Sequence, residues 1–485
     1  MKIKLIAPRE KYEGLLNWHD PLGMRKNKGW ALPLALPTLA ALTPPDINVS
    51  IVDENVEPID FEEKIDLVGI SFMTPAATRA YEIADEFRKR GICVVLGGIH
   101  VSMLPEEGAK HADSVVIGEA EDIWSDLIND FKNGRLKNVY RCDTQADLNK
   151  SPIPRWDLGK ATLYNFHMLQ ISRGCPFDCD FCSVKVFLGE GVRYKPIGNI
   201  IKELEFLKKL DTKKIIFFAD DNILGDIEHL KDLLNSIMPL NIRWFCQASI
   251  NLAQHSKLLE AMYKSGCRQV FIGFESLSQE SLDLMNKGRT NRVNEYVAAV
   301  DKIHSYGISV FGSFMLGNDG DDKEIFSRTI EFINKSNIVF SLINIITPPP
   351  GTRLYKKLQE ENRISTYDWE KYTGEWVCFQ PKKMSAEELQ QKYYITLQNI
   401  YSYDAILKRL NVLWGRGLLI KRGNDILNKF AKERLYLSIR GILDNDRARR
   451  KFILRSLWNP KTTALSPLLM AMSFHDFAFR KNTHV

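Results

Sequence analysis

Three cysteines fall within eight residues of one another, in the stretch Ser172-Arg173-Gly174-Cys175-Pro176-Phe177-Asp178-Cys179-Asp180-Phe181-Cys182. Eight cysteines in 485 residues are too few for a disulfide scaffold, so a CxxxCxxC cluster reads as a metal site. Structural zinc takes four protein ligands, and the nearest histidines in sequence are His167 and His229. A zinc site with a distant fourth ligand is the plain alternative. Three thiolates on one loop suit a [4Fe-4S] cluster that leaves one iron open. Cys93, Cys142, Cys246, Cys267 and Cys378 are scattered and read as small buried or neutral residues.

A loop of this kind must be carried by a rigid element. Strand patterns at Met168–Ser172, Lys214–Phe218, Arg243–Gln247, Gln269–Ile272, Ser309–Met315 and Ser341–Ile346 alternate with helical stretches. Six such units fit a complete or partial parallel βα barrel, with the cysteines directly after the first strand, on the face where barrels do chemistry. A second alternating series precedes it: Lys4–Ala7, Val49–Asp53, Leu67–Phe72, Cys93–Leu96 and Ser114–Ile117, with helical stretches such as Ala76–Arg90 and Asp122–Asn133. This spacing implies right-handed βαβ units and a doubly wound sheet, whose ligands sit at the carboxyl ends of the strands. Those ends carry Asp53-Glu54-Asn55, Ser71 to Thr74, Gly97-Gly98-Ile99-His100 and Gly118-Glu119-Ala120-Glu121. The expected fold is α/β: a doubly wound, Rossmann-like domain over 1–145, a linker over 146–165, a partial βα barrel over 166–384 and a mainly helical region over 385–485. Ser385-Ala386-Glu387-Glu388 is a capped helix start.

The cysteine loop, with Phe181 immediately before the third cysteine, resembles the radical S-adenosylmethionine superfamily. The resemblance implies that Cys175, Cys179 and Cys182 ligate and act through the cluster, that the open iron binds S-adenosylmethionine, and that Phe181 packs near adenine. It requires an open metal position, a low-potential electron source and a dry pocket. Asp220 and Asp221, after the second barrel strand, stand where the family places polar groups near the methionine moiety; a helix N-cap is their plain alternative. Glu275, in Phe271-Ile272-Gly273-Phe274-Glu275-Ser276, stands where the family closes on the nucleoside. The doubly wound domain resembles the cobalamin-binding branch, which implies cobalamin contacts at Ser71, Thr74, Gly97, Gly98, Gly118 and Glu119. Pro154-Arg155-Trp156-Asp157 fits the same branch. An Asp-x-His-x-x-Gly cobalt-ligating motif is absent, and Ala35 in Pro33-Leu34-Ala35-Leu36 stands where relatives commonly have glycine. The implied activity is methylation of an unactivated carbon through a 5′-deoxyadenosyl radical and methylcobalamin. The alternatives are an oxidative cyclase, dehydratase or carbon–carbon coupling enzyme on the same scaffold, and a non-catalytic cobalamin or iron–sulfur sensor.

Composition narrows the setting. Hydrophobic residues make up 45% and charged residues 26%, ordinary globular usage. The start of the chain does not read as a signal peptide, and no window offers the run of apolar residues a membrane span needs. Cytoplasmic placement, a small-molecule or lipid substrate, an electron donor such as flavodoxin or ferredoxin, and no nucleic-acid partner are expected. Residues 401–485 hold 17 Lys and Arg against 6 Asp and Glu, so the net charge of +6 is a basic C-terminal region on an otherwise acidic chain. Arg416, Lys421 and Arg422 lie among Trp414, Leu418, Leu419 and Ile420, a pattern that suits peripheral contact with a membrane or amphipathic lipid; a helical cap with solvated charges is the alternative.

Overall fold

A computed structural model describes residues 1–12, 29–211, 215–416, 449, 451, 452, 472, 474–476, 478 and 479. By internal contacts the chain forms two compact units. The first comprises Met1–Gly14, Lys28–Gln247 and Ile346–Gln380; the second comprises Leu15–Asn27, Ala248–Ile345 and Pro381–Val485.

The first unit begins with six parallel strands: β1 (Lys2–Ala7), β2 (Asn48–Asp53), β3 (Leu67–Ser71), β4 (Cys93–Gly97), β5 (Ser114–Ile117) and β6 (Val139–Arg141). Their order is β2-β1-β3-β4-β5-β6. The order reverses at β1, and such a switch point opens a crevice beyond the strand ends. Val68, Ile70, Val94, Leu96 and Val115 are all buried, the near-continuous apolar runs that a sheet covered on both faces demands. The short strand β6 carries only one buried side chain, Tyr140, and so has no readable apolar run.

This core is completed from far along the chain. Tyr355, Trp369, Tyr372 and Cys378 pack in one cluster with Ile6, Val68, Phe87 and Leu96. Trp369 donates from Nε1 to Glu107 Oε1 at 2.8 Å and meets His100 edge-on. The stretch 146–165 is pegged: Trp156 is buried and donates to Glu203 Oε1 at 3.1 Å. Glu203 in turn pairs with Lys195 at 3.0 Å, away from water.

β7 (Phe166–Leu169) then starts the second series. A two-residue antiparallel ladder, β8 (Ser172–Arg173) with β9 (Arg193–Tyr194), brackets the cysteines. β10 (Ile215–Phe218) and β11 (Trp244–Ala248) follow, and β7, β10 and β11 pair in parallel in that order. In the second unit β12 (Cys267–Glu275), β13 (Ser309–Leu316) and β14 (Ser341–Ile345) are parallel neighbours in that order. Helices Ala386–Tyr401 and Tyr403–Gly415 come next. Ser385 caps the first of these, its side chain accepting from Glu388 N at 3.1 Å. The fold is therefore α/β, a doubly wound domain followed by a partial βα barrel and then helices.

Candidate functional site

The cysteine loop is tied down at both ends. Asp220, fully buried just past β10, accepts from Ile171 N at 3.2 Å, from Ser172 Oγ at 2.6 Å and from Ser172 N. Asp221 accepts from Gly174 N at 3.0 Å. Burial pushes Asp220 up to about 7 against the opposing bonds from Ser172 and Ile171, and burial also raises Asp221. Neither aspartate is a helix cap. That role falls to Asp226, which accepts from Glu228 N and His229 N. Gly174 has a φ of +99°, and a Cβ there would run into the Gly191 carbonyl, so β8 and β9 close together only around a glycine. On the far side Arg353 reaches Asp178 at 2.9 Å and Asp180 at 2.8 Å, and Leu354 N donates to Asp180 O at 2.9 Å.

Among the described residues no three His, Cys, Asp or Glu side chains converge on a single metal ion. An iron–sulfur cluster does not require that, because each thiolate takes a different iron. The Cys182 thiol is pushed up to about 12, first by burial and then by Cys179, Cys175 and Asp221 nearby. Three sulfurs near one another, with Cys182 shielded, are a donor set that fits a [4Fe-4S] cluster.

A cleft of about 290 Å³ opens beside this loop. Gly69 and Ser71 of β3, Gly97 and Gly98 of β4, and Gly118, Glu119 and Glu121 after β5 form one wall. Leu34, Ala35 and Thr38 at the helix Ala35–Leu42 form the second, and Gln170, Arg173, Phe187 and Leu188, on either side of the cysteines, form the third. A Cβ on Gly98, whose φ is +97°, would lie 2.6 Å from Phe72 O. At Gly97 the nearest such contact is 3.7 Å away, so the sheet surface there is bare. A bare, largely apolar slot at strand ends fits a large planar ligand with a tail, as cobalamin is. Ala35 stands in the wall without closing the cleft. Thr74 is not in the lining; it is buried and faces His100 Nδ1 at 3.2 Å. His100 itself is buried between Thr74 and Glu107 and is also absent from the lining.

Sequence reasoning missed the ion-pair cluster at the cleft. Arg173 pairs with Glu119 and Glu121, each at 2.5 Å, and Arg193 pairs with Glu119 at 2.8 Å. Ala146 N also donates to Glu119, at 3.0 Å. Burial pushes the Glu119 carboxyl up, but Arg173, Arg193 and the Ala146 amide more than offset it, and it sits below its ordinary value. The available signal was charge complementarity between Ser172-Arg173-Gly174 and Gly118-Glu119-Ala120-Glu121.

In the second unit Glu275 ends β12 with a φ of +66°, next to an irregularity in the β12–β13 register. It is raised by burial, with Lys287 opposing, whose Nζ lies 4.0 Å away. Asn291 donates to the Gly273 and Phe274 carbonyls at 2.9 and 3.1 Å, fixing the same turn.

Family models for the B12 binding domain match residues 25–128, for the radical SAM superfamily residues 169–333, and for a domain of unknown function residues 352–475. The bacteriochlorophyllide d C-12(1)-methyltransferase of Chlorobaculum tepidum is 32% identical over 407 residues, covering 81% of this chain and 88% of that protein. This chain belongs to the cobalamin-binding radical S-adenosylmethionine family. The hopanoid C-2 methylase of Rhodopseudomonas palustris is 27% identical, with 85% of each chain covered. The cobalamin-dependent S-adenosylmethionine radical enzyme OxsB shares the fold, with a TM-score of 0.64 at 14% identity over 99% of this chain and 80% of that one. The protein is thus a radical S-adenosylmethionine methyltransferase whose cofactors are a [4Fe-4S] cluster, S-adenosylmethionine and cobalamin. Its cysteine loop falls inside the radical SAM match, and Gly97, Gly98, Gly118 and Glu119 fall inside the B12 match.

Proposed function

We propose that this methyltransferase acts on an unactivated carbon of a bulky apolar small molecule, with residues 1–145 presenting cobalamin and 166–384 the radical chemistry. The observation that carries the reading is the shared cleft: residues flanking the cysteines and glycines of the cobalamin-type sheet line one cavity. When bound, the cluster with S-adenosylmethionine supplies a hydrogen-abstracting radical, and cobalamin supplies the methyl group. Cys175, Cys179 and Cys182 hold the cluster, and Phe181 lies along the adenine. Asp220 and Asp221 act by fixing the backbone of 171–174. Glu275 contacts the nucleoside. Ser71, Gly97, Gly98, Gly118 and Glu119 hold cobalamin, whereas Thr74 acts by orienting His100 in the adjacent core. The apolar walls from Leu34, Phe187 and Leu188 exclude water from the reacting centre. The relatives' activities on bacteriochlorophyllide d and on hopanoids support a bulky apolar substrate.

Turnover by anaerobically reconstituted enzyme should release S-adenosylhomocysteine and 5′-deoxyadenosine in equal amounts, with one methyl added to each product molecule. Release of 5′-deoxyadenosine with no S-adenosylhomocysteine would favour the cyclase or coupling alternative. Release of neither, with both cofactors loaded, would favour the sensor. An electron donor of the flavodoxin or ferredoxin type delivers the electron. Among the described residues no helix is long and apolar enough to cross a membrane. The basic-apolar stretch through Lys421 and Arg422 lies outside the described residues beyond Arg416. Its contact with anionic lipid is tested by cosedimentation with phosphatidylglycerol vesicles at low and high salt, where binding that salt removes is expected.

A further inference from the structure

The ladder that brackets the cysteines places Arg173 of β8 directly opposite Arg193 of β9. Two like charges side by side repel unless something lies between them. Here both guanidiniums close on one carboxylate, Glu119, and Arg173 takes Glu121 as well. Gln170 Oε1 accepts from Arg173 Nε at 2.9 Å. Arg173, Glu119 and Glu121 are nearly excluded from water, with side-chain exposures of 11%, 5% and 13%, so solvent screens these pairs little. The same three residues line the cleft. The backbone on either side of Arg173 belongs to the cluster end: Ser172 is held by Asp220 and Gly174 by Asp221, and Cys175 follows.

We propose that Arg173 is a positioning residue that couples the two cofactor sites, so that filling the cobalamin cleft and assembling the cluster favour each other. This rests on the reading of the cleft as the cobalamin site. The physical basis is a single side chain that cannot shift at one site without shifting at the other. A ligand packed against Gly118–Glu121 fixes the two carboxylates. They fix Arg173 and Arg193, and these fix the mouth of the cysteine loop. Coupling of this kind is reciprocal in binding free energy.

The test uses full-length protein and hydroxocobalamin, titrated by absorbance into iron-free and into anaerobically reconstituted enzyme. The wild type should bind hydroxocobalamin about five-fold or more tightly with the cluster in place, and hydroxocobalamin should slow iron removal by a chelator. In Arg173→Ala the affinity ratio should fall toward one and the protection of iron should vanish. Should that variant misfold because Glu121 is left buried without its cation, the double variant R173Q/E121Q removes both charges and is read in the same way. A wild-type ratio near one, an undiminished ratio in either folded variant, or no hydroxocobalamin binding to either form overturns the proposal. None of these measurements requires turnover. Failure of methyl transfer with the ratio intact would count against the proposed function and not against the coupling.

Discussion

The strand-end cleft and the cysteine loop lie side by side in one unit but are built by opposite means. In the cleft the chain removes side chains: glycines at the ends of β4 and β5 leave bare backbone, and apolar residues supply the walls. In the loop it adds anchors: Asp220, Asp221 and Arg353 each grip backbone or charge around three thiols. A cavity at strand ends is present before any ligand arrives, because the sheet that makes it is also the core. A loop of eleven residues has no core of its own and must be held from outside. The first kind of site should fail by being filled and the second by being released.

The largest effect expected belongs to the loop. Changing Cys175, Cys179 or Cys182 to alanine should abolish 5′-deoxyadenosine formation and lower bound iron, measured after anaerobic reconstitution. Cys93, Cys142 and Cys378 changed in the same way should leave that activity largely intact, and loss there would break the distinction between ligand and bystander. Next comes the cleft. Gly98→Val puts a branched side chain at a left-handed backbone position against Phe72. By pushing β3 and β4 apart beside the cleft it should lower hydroxocobalamin retention by about ten-fold or more, a loss of about 1.4 kcal/mol in binding, while the backbone strain of about 1–3 kcal/mol falls on stability. Iron content should stay unchanged. Parallel loss of iron would show that the two sites do not fail separately.

A smaller effect is expected where an anchor is removed. Asp220→Ala leaves buried donors on Ile171 and Ser172 without an acceptor, at a cost of about 1–3 kcal/mol in unfolding free energy. Asp220 also sets a pH signature. Its folded value of about 7 lies above the ordinary 3.8, so between those values the folded state holds more protons than the unfolded one. Its contribution therefore makes stability fall as pH rises from about 4 to about 7. Asp220→Asn should flatten that slope in denaturant titrations across the window; an unchanged slope would sink the assignment. The smallest effect belongs to Arg353→Ala. Its side chain is 50% exposed, and exposed pairs contribute about 0–1 kcal/mol. Thermal stability should barely move, and iron loss to a chelator should quicken modestly.

The sequence made some of this readable and hid the rest for physical reasons. The three cysteines declare themselves because their chemistry depends on spacing along a single loop. Strands β1, β3, β4 and β5 are legible because strands buried on both faces must be written largely in Val, Ile and Leu. Gly97 and Gly98 point to the cleft because close approach of backbone to a ligand needs a missing side chain. Thr74 shares the strand-end position of Ser71, and only the packing around His100 shows that it turns inward. Arg173 and Glu119 are 54 residues apart, and no local rule pairs one buried charge with another at that distance. Asp220 and Asp221 look like a helix start from neighbouring residues alone, yet their partners stand nearly fifty positions earlier.

The indole of Trp369 has a consequence for how the protein comes off the ribosome. It fills the same hydrophobic cluster as Phe87 and Leu96 and is bound to Glu107, 262 residues earlier. At about 5–20 residues per second, synthesis takes on the order of ten seconds or more to travel from the end of β6 to that tryptophan. Throughout that interval the amino-terminal sheet carries an uncovered apolar patch where Tyr355, Trp369, Tyr372 and Cys378 belong. A fragment ending after residue 145 would keep that patch for good, and it should be recovered in aggregates or on chaperones while the full chain stays dispersed.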